Sequence, residues 1–304
     1  MSQANWRVTE SVRANPILAD TVEAMNRIAP LDLADTSFDN VGILLQAPRS
    51  PESIGKDEGV MLAIDLTTEV CDEILASPDN IKVAIVYHPI IFRGLKSITF
   101  ADPQQTSLLR LAAAGVSVYC PHTSLDATLG GINDWLGLVV TEIEPLKEMT
   151  DKAALEAFSS NTHPAIVRSK NGSSNSLAGM GRLIEVEERV CFKDIVERVK
   201  ANLDLPYVQG CMASDKPIRT IAVCAGSGSG VFSGTKADLY LTGELSHHEV
   251  LAYKAAGASV IVTNHSNTER KYLRDVLQHK LRHELGNKYR ISVSQSDCDP
   301  LTVM

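Results

Sequence analysis

The chain has 304 residues, of which 44% are hydrophobic and 22% are charged, and its formal net charge is −8. This composition is typical of a globular protein, and the length allows one large domain or two medium ones. The acidic balance and the lack of a Lys/Arg cluster argue against direct nucleic-acid binding. No apolar run approaches the roughly 18 residues of a membrane span, so we expect no membrane partner.

The six cysteines are scattered without a C-x-x-C pair, which indicates reduced, intracellular cysteine and excludes a disulfide framework or zinc finger. Residues 1–20 lack the apolar segment of a secretory signal peptide. They carry Arg7 and Arg13, but Glu10 and Asp20 are unusual for a mitochondrial presequence. We therefore expect a cytoplasmic protein, with the nucleus or the mitochondrion as alternatives.

The first half of the chain alternates between predicted helices and strands. The apolar patterns predict a helix at 17–28, strands at 60–64, 81–86 and 116–119, and helices that start at Thr67 and at Asp102-Pro103. The order βαβαβ is typical of a mostly parallel sheet with helices on its faces.

The pattern weakens over 141–180, where the segment 171–176 (NGSSNS) predicts a turn or a mobile loop. It then predicts helices at 192–203, 246–256 and 267–284, and strands at 218–224, 239–241 and 258–263. Both halves place a histidine just after a strand, in VAIVYHP and VIVTNHS. We therefore predict an α/β fold of two similar lobes, with mostly parallel sheets flanked by helices, which face each other across a cleft.

Candidate ligands follow four predicted strands, in the segments 87–89, 122–126, 243–249 and 265–269. Ligands in α/β sheets bind at the carboxyl ends of strands. His265 and Glu269 are four residues apart at the start of a helix. This spacing puts both side chains on one face, where they can bind one metal ion together. Nitrogen and oxygen ligands without thiolate suit Zn²⁺, Mn²⁺, Fe²⁺ or Ni²⁺ at a catalytic site. If the carboxylate of Asp126 or Glu269 bridges two metal ions, the site could be dinuclear.

Each candidate has a structural alternative. Glu269 could simply stabilise a helix N-terminus, and Asp126 could cap the turn before Gly130-Gly131. His247 and His248 could be solvated residues at the start of a helix.

Two further features give weaker signals. The glycine-rich run 226–230 could bind a phosphate through backbone N–H groups, but it does not fit G-x-G-x-x-G and lacks the lysine of a P-loop. A flexible wall beside the cleft is the favoured interpretation. Cys120 lies near His122 in sequence, and its place at a strand end predicts a buried, small apolar residue.

Seven segments resemble the NIF-three-like family, the NGG-one-interacting-factor-three proteins, whose bacterial members are often labelled type-two GTP cyclohydrolase I homologues. They are SFDNVGILL (37–45), AIDLT (63–67), YHPIIFRGLKSIT (87–99), PHTSLDATLGGINDWL (121–136), CAGSGSG (224–230), TGELSHHE (242–249) and NHSNTER (264–270).

The resemblance implies a dinuclear metal site between two similar α/β lobes, with up to two divalent ions (Zn, Mn, Fe or Ni) per chain. The ligands carried over are His88, Asp126, His265 and Glu269. Tyr87 stands where the family has a first histidine, and a neutral phenol with a pKa near 10 is a poor ligand at pH 7. One metal would then lose a protein ligand. A tyrosine at this position resembles what eukaryotic members carry and indicates a fungal-type chain.

The resemblance also implies a domain plan and an assembly. We expect a single unit, with lobe one at about 15–140, lobe two at about 219–304, and a connector at 141–218 that contains the helix near 192–203. The connector is too short for the ferredoxin-like domain that many bacterial members insert. Family members form toroidal hexamers or smaller oligomers, so we expect a homo-oligomer.

Two functions remain open. The first is a metal-dependent hydrolase that acts on a nucleotide or another phosphorylated or heterocyclic metabolite, with GTP cyclohydrolase activity as one candidate. His122, Glu244 and His248 would then shuttle protons or orient the ligands. The second is a binding or regulatory protein that partners a transcriptional co-activator component, or one that handles metal.

Overall fold

The computed structural model describes residues 7–49, 55, 57–169 and 177–303. The segment 171–176, predicted as a turn or mobile loop, lies outside these ranges. The chain forms two compact units. The first contains the residues up to Leu125 together with Val276–Cys298, and the second contains Asp126–Asp275 together with the residues from Asp299 onward. The lobe boundaries expected from the sequence stay a prediction.

In chain order, the strands of the described residues are β1 (Gly42–Leu45), β2 (Gly59–Ala63), β3 (Ile81–Val86), β4 (Ser117–Cys120), β5 (Val167–Arg168), β6 (Gly179–Met180), β7 (Arg182–Val190), β8 (Gln209–Cys211), β9 (Ile218–Ser227), β10 (Leu239–Glu244), β11 (Ser259–Val262) and β12 (Arg290–Val293).

The α-helices of the described residues are α1 (Glu10–Arg13), α2 (Pro16–Ile28), α3 (Thr68–Ala76), α4 (Pro103–Ala113), α5 (Thr123–Ala127), α6 (Ile132–Thr141), α7 (Lys152–Ser160), α8 (Phe192–Leu203), α9 (Ser229–Phe232), α10 (His247–Ala255), α11 (Arg270–Tyr272) and α12 (Gln278–Glu284). Short 3₁₀ turns span Leu31–Leu33 and Ser266–Thr268, and a π-helical turn spans Leu273–Leu277. Within the described ranges, none of the helices combines the length and apolar character needed to cross a membrane.

The first unit contains a five-stranded sheet in the order β1-β4-β3-β2-β12. All neighbours in it are parallel except β1, which runs antiparallel to β4. Helices α3 and α4 contribute Val70, Ile74 and Leu111 to a buried cluster with Val86 of β3 and Val118 of β4. Strand β2 is buried throughout, which explains why its sequence is a continuous apolar run.

The second unit contains a five-stranded sheet in the order β7-β9-β10-β11-β8. Strands β9, β10 and β11 are parallel, whereas the edge strands β7 and β8 are antiparallel to their neighbours. Tyr240 of β10 stacks on Tyr253 of α10, with ring centroids 4.1 Å apart. The prediction of an α/β fold in two parts with parallel-containing sheets is confirmed, and antiparallel edge strands are added to it.

Side-chain caps fix several predicted helix starts. The Thr67 side chain accepts from Val70 N–H, and the Asp102 side chain accepts from Gln105 N–H. Ser246 and Glu249 form a reciprocal capping box at the start of α10. These local contacts explain why the sequence located these helices within one or two residues.

Candidate metal centre

In the first unit, three chemically active side chains follow the carboxyl ends of parallel strands. Asp65 comes two residues after β2, His88 two residues after β3, and His122 two residues after β4. Since these strands are neighbours in the sheet, their ends bring the side chains together. The His88 and His122 ring centroids are 5.6 Å apart.

His88 is oriented by a carboxylate. Its Nδ1 lies 2.9 Å from Asp65 Oδ1. Because a carboxylate can only accept, Nδ1 carries the hydrogen and Nε2 carries the lone pair, which is the tautomer of a metal ligand. The structure thus prepares His88 for the predicted ligand role.

His122 has the same arrangement in a more buried setting. Its Nδ1 lies 2.7 Å from Asp39 Oδ1, and Thr123 donates to Asp39 Oδ2 through both its backbone N–H and its hydroxyl. Burial acts to raise the pKa of Asp39, but the hydrogen bond and charge of His122 and the Thr123 donors outweigh it, so the pKa lies below its ordinary value. His122 also has a φ of +28°, an uncommon backbone conformation for a non-glycine residue that is often found at functional sites.

Tyr87 is buried against both rings. Its ring centroid lies 4.9 Å from that of His88 and 5.4 Å from that of His122. The Cys120 thiol donates to the Tyr87 carbonyl oxygen at 3.0 Å. Burial and the nearby Asp39 charge raise the pKa of Cys120 well above its usual range, so the thiol stays protonated, as expected of a small buried residue.

In the second unit, His265 lies between two carboxylates. Its Nδ1 is 3.0 Å from Glu244 Oε2 at the end of β10, and its Nε2 is 3.6 Å from Glu269 Oε1. The Glu269 side chain is only 2% exposed. Glu244 therefore orients the ring, while His265 Nε2 and Glu269 form a His/Glu pair suited to a metal ion.

Asp126 belongs to the same neighbourhood of the second unit. It is buried, and Cys224 lies near enough to both Asp126 and Glu269 to respond to their charges. Burial first, and then these two carboxylates, raise the pKa of the Cys224 thiol far above its usual range. The structure therefore places three predicted ligands, Asp126, His265 and Glu269, around one region of the second unit.

The structure bears differently on the structural alternatives for the two carboxylates. The turn at Gly130 is capped by Asp134, whose Oδ2 accepts from Gly130 N–H at 2.8 Å. Glu269 occupies the N-cap position of α11 without a side-chain capping bond. The turn at Gly130 is thus capped by Asp134 and not by Asp126. The helix-terminus alternative for Glu269 stays open.

Gly226 forms a close wall beside the ligands. A Cβ at this position would lie 2.9 Å from both His265 Nε2 and Glu269 Oε1, and its φ of +61° also favours glycine. The Gly226 N–H donates to Thr268 Oγ1 at 2.8 Å, so it is used within the protein. This supports the wall interpretation of the glycine-rich run over the phosphate-binding one.

Buried polar side chains connect the ligand-bearing segments. Asn133 donates to the Asp126 carbonyl oxygen at 3.1 Å and accepts from Ala225 N–H at 3.0 Å. Thr268, which accepts from Gly226, donates to the His265 carbonyl oxygen at 2.7 Å. The network ties the backbones of Asp126, Gly226 and His265 to one another.

The loop after Asp126 is anchored by a buried ion pair. Arg182 Nε and Nη2 donate to the two carboxylate oxygens of Asp134 at 2.6 and 3.0 Å. Arg182 Nη2 also donates to the Thr128 carbonyl oxygen. Both charged side chains are almost fully buried, and their bidentate geometry satisfies them.

His247 and His248 lie at the exposed start of α10. Their ring centroids are 5.5 Å apart. His247 lines a cavity together with Glu244 and His265, whereas His248 contacts the His247 ring. A proton-shuttle role for His248 stays a prediction.

Sequence reasoning missed Asp39, Asp65, Asn133 and Thr268. All four lie inside the motifs that carry the family resemblance. Asp65 was visible as an acid directly after a strand, but a carboxylate that orients histidine has no fixed spacing from it. Asn133 and Thr268 are not ligand types, so only the fold reveals their role.

The residues present fit a divalent ion. The imidazole of His265 and the buried carboxylate of Glu269 supply a borderline and a hard donor within reach of one ion. A side chain at Gly226 would press on both of them. Asp126 is a further buried carboxylate of the same unit. The orienting carboxylates Asp65 and Glu244 are those commonly found behind metal-binding histidines.

Comparison with known proteins agrees with this interpretation of the motifs. The model of the family Duf34/NIF3 (NGG1p interacting factor 3) matches residues 17–300. Protein NIF3 homolog of Schizosaccharomyces pombe is 43% identical over 100% of both chains. NGG1-interacting factor 3 of Saccharomyces cerevisiae is 39% identical over 93% of this chain and 95% of its own.

A solved structure shares the fold. The Bacillus cereus protein related to NIF3 superposes with a TM-score of 0.70, at 18% identity, over 93% of this chain and 98% of its own. The two yeast relatives also agree with the expected fungal type. The chain belongs to the Duf34/NIF3 family.

Proposed function

We propose that the protein is a metal-dependent hydrolase whose metal is held mainly by the second unit. The observation that carries the proposal is His265, with Glu244 at Nδ1, Glu269 near Nε2 and a glycine beside them that leaves the space open. The His265 side chain is 37% exposed, so its ring is accessible from solvent.

Asp126, His265 and Glu269 would hold the ion, which when bound lowers the pKa of coordinated water and so provides a nucleophile near neutral pH. His88 stays the further ligand that the family resemblance predicts, and its Asp65 partner keeps Nε2 in the ligand tautomer. Up to two ions among Zn, Mn, Fe and Ni suit these donors.

His122 is the proposed proton carrier. Asp39 holds its Nδ1 hydrogen, so proton transfer takes place at Nε2. The lowered pKa of Asp39 keeps its carboxylate ionised, and this carboxylate accepts from His122 Nδ1 and fixes the orientation of the ring. Glu244 acts as a positioning residue through His265.

The proposed substrate is a nucleotide or another small phosphorylated or heterocyclic metabolite, with cyclohydrolase chemistry as one candidate reaction. The family resemblance supports this range. It also supports a homo-oligomer, hexameric or smaller. The scattered cysteines support a cytoplasmic location.

A second candidate function is partner binding, since the name of the Saccharomyces cerevisiae relative describes an interaction with NGG1. The loop after His88 exposes Phe92, Ile98 and Phe100, and Phe92 lies beside exposed Phe38 with ring centroids 6.4 Å apart. Exposed apolar groups that cluster in this way mark interaction surfaces. We propose contact with a transcriptional co-activator component as the alternative role.

A hydrolysis screen separates the two functions. Metal-loaded wild type would be assayed against nucleotides and heterocycles, beside Glu269→Gln and a Phe92→Ser/Phe100→Ser variant. Turnover lost only in Glu269→Gln supports the hydrolase. A cellular phenotype that survives in Glu269→Gln but disappears in the loop variant would refute the hydrolase and favour partner binding.

A further inference from the structure

A cavity of about 500 Å³ adjoins His265 within the second unit. Its wall is formed by the edge strand β8, the neighbouring strand β11, helix α10 and the segment that begins at Asp299. In the antiparallel pairing of β8 with β11, Cys211 is the partner of Val260 and Gln209 is the partner of Val262. Register partners point to the same side of a sheet, so these four side chains share the face that α10 covers.

One part of the cavity wall is aliphatic. The apolar residues on its wall include Leu245, Val250, Val260, Val262 and Leu301. Small-molecule sites typically combine such a lining with a few polar groups that set orientation. A hydrocarbon group would therefore gain by leaving water here.

The polar residues on the cavity wall are two carboxylates, two imidazoles and two amides: Glu244, Asp299, His247, His265, Gln209 and Asn264. The formal charges on the wall therefore come from the two carboxylates. Glu244 and Asp299 line the cavity, whereas none of its lining residues, among those the structure describes, is lysine or arginine. Arg270 is directed to Ser266 Oγ at 2.8 Å, and Ser266 in turn donates to Asp299 Oδ2. Glu244 and Asp299 can each accept further hydrogen bonds, since a carboxylate has about four lone-pair sites.

The nearby helix start is unfavourable for an anion, because Glu249 lies in its first turn. The Ser246 side chain accepts from Glu249 N–H, and the Glu249 side chain accepts from Ser246 N–H and Ser229 Oγ. The capping box thus uses the N–H groups of Ser246 and Glu249 and adds a negative charge at the first turn of α10. A phosphate group would meet like charges here and no guanidinium or ammonium partner.

We propose that this cavity binds an aliphatic amine, the cationic and apolar part of the molecule that reacts beside His265. The hydrocarbon lies against the valines, and the ammonium group lies at the mouth between Glu244 and Asp299. This rests on the proposed function, and it assigns any phosphate of the substrate to another part of the protein.

The test uses Cys211 as a reporter, because its thiol is half-buried on the wall, and exposed Cys191 as the internal reference. The metal-free full-length protein is treated with N-ethylmaleimide near neutral pH, and both cysteine peptides are followed by mass spectrometry. Pentylammonium, pentanol and pentanoate are added in parallel at equal concentration. Metal content is measured separately, so failure of the metal proposal and failure of this one are distinguishable.

We expect pentylammonium to slow modification of Cys211 about fivefold more than pentanol does, and pentanoate not to protect it, because a partly exposed ion pair contributes up to roughly this factor. Cys191 should react at the same rate throughout. Equal protection by pentanol, stronger protection by pentanoate, or no protection by any probe would overturn the proposal.

Substitutions test whether Glu244 and Asp299 cause the preference for pentylammonium over pentanol. Glu244→Gln combined with Asp299→Asn should reduce protection by pentylammonium to the level of pentanol. Glu197→Gln, which removes an exposed carboxylate from α8, is the matched control and should leave the preference unchanged. A preference that persists in the double variant would also contradict the assignment.

Discussion

The two units hold their histidines with the same kind of partner in different surroundings. In the first unit, the Asp39 side chain that holds His122 is fully buried, with an exposed fraction of 0%. In the second unit, the Glu244 side chain that holds His265 is 58% exposed. Since a buried charge costs far more to leave unpaired than an exposed one, the first pair is tied to folding and the second is tied mainly to ligand orientation.

Asp39→Asn is the substitution with the largest expected effect, and it tests whether the buried pair supports folding. The change removes a buried negative charge from His122 and from the two Thr123 donors. We expect the free energy of unfolding to fall by about 2–4 kcal/mol, by the cost of breaking a buried charged hydrogen-bond network. Urea unfolding of wild type and variant measures it, and a loss below about 1 kcal/mol would contradict the expectation.

The pH dependence sharpens the same point. Because the folded-state pKa of Asp39 lies below the ordinary value of about 3.9, ionised Asp39 contributes stability above that pH. The contribution is lost as pH falls through the folded-state pKa. The stability gap between wild type and Asp39→Asn should thus be constant near neutral pH and narrow in acid. A difference in the free energy of unfolding that grows on acidification would contradict this expectation.

Gly226→Ala tests the wall of the second unit. The new Cβ would approach His265 Nε2 and Glu269 Oε1 to 2.9 Å and strain a positive φ, so we expect about 1–2 kcal/mol of destabilisation and loss of metal affinity. Gly230→Ala is the control, because its Cβ would meet nothing within 4 Å. Calorimetric titration measures the metal affinity of both variants. Equal affinities would contradict the claim that Gly226 keeps the space beside His265 and Glu269 open for a metal ion.

Glu244→Gln should have the smallest effect on folding. An exposed pair contributes at most about 1 kcal/mol, so the free energy of unfolding should stay near that of wild type. Metal affinity should nonetheless fall about 10–100-fold, as is usual when the partner of a metal-binding histidine is lost. The same calorimetric titration and urea unfolding measure the two quantities. If metal affinity and stability are both unchanged, Glu244 does not support metal binding.

Part of this site was accessible from the sequence because it depends on local spacing. His265 and Glu269 are four residues apart after an apolar strand, and this spacing predicted a pair that the structure brings to 3.6 Å. The helix starts at Thr67 and Asp102 were likewise predictable, because their capping bonds span three residues.

The rest depends on long-range pairing. Asp39 meets His122 across 83 residues, and Asn133 meets Ala225 across 92. Strand β12 joins the first sheet beside β2 only because the chain returns after the second unit. Strand β7 lies at one edge of the second sheet. The sequence analysis missed this strand because its charged sequence, RLIEVEERV, shows no regular apolar alternation over its full length.

The most direct test of the central claim is the number of metal ions per chain, by elemental analysis of protein purified without chelator or affinity tag. We predict at least one ion in wild type and in Glu197→Gln, and its loss in Asp126→Ala and Glu269→Ala with the circular dichroism spectrum retained. No ion in wild type, even after incubation with Zn²⁺, Mn²⁺ or Fe²⁺, would contradict the claim.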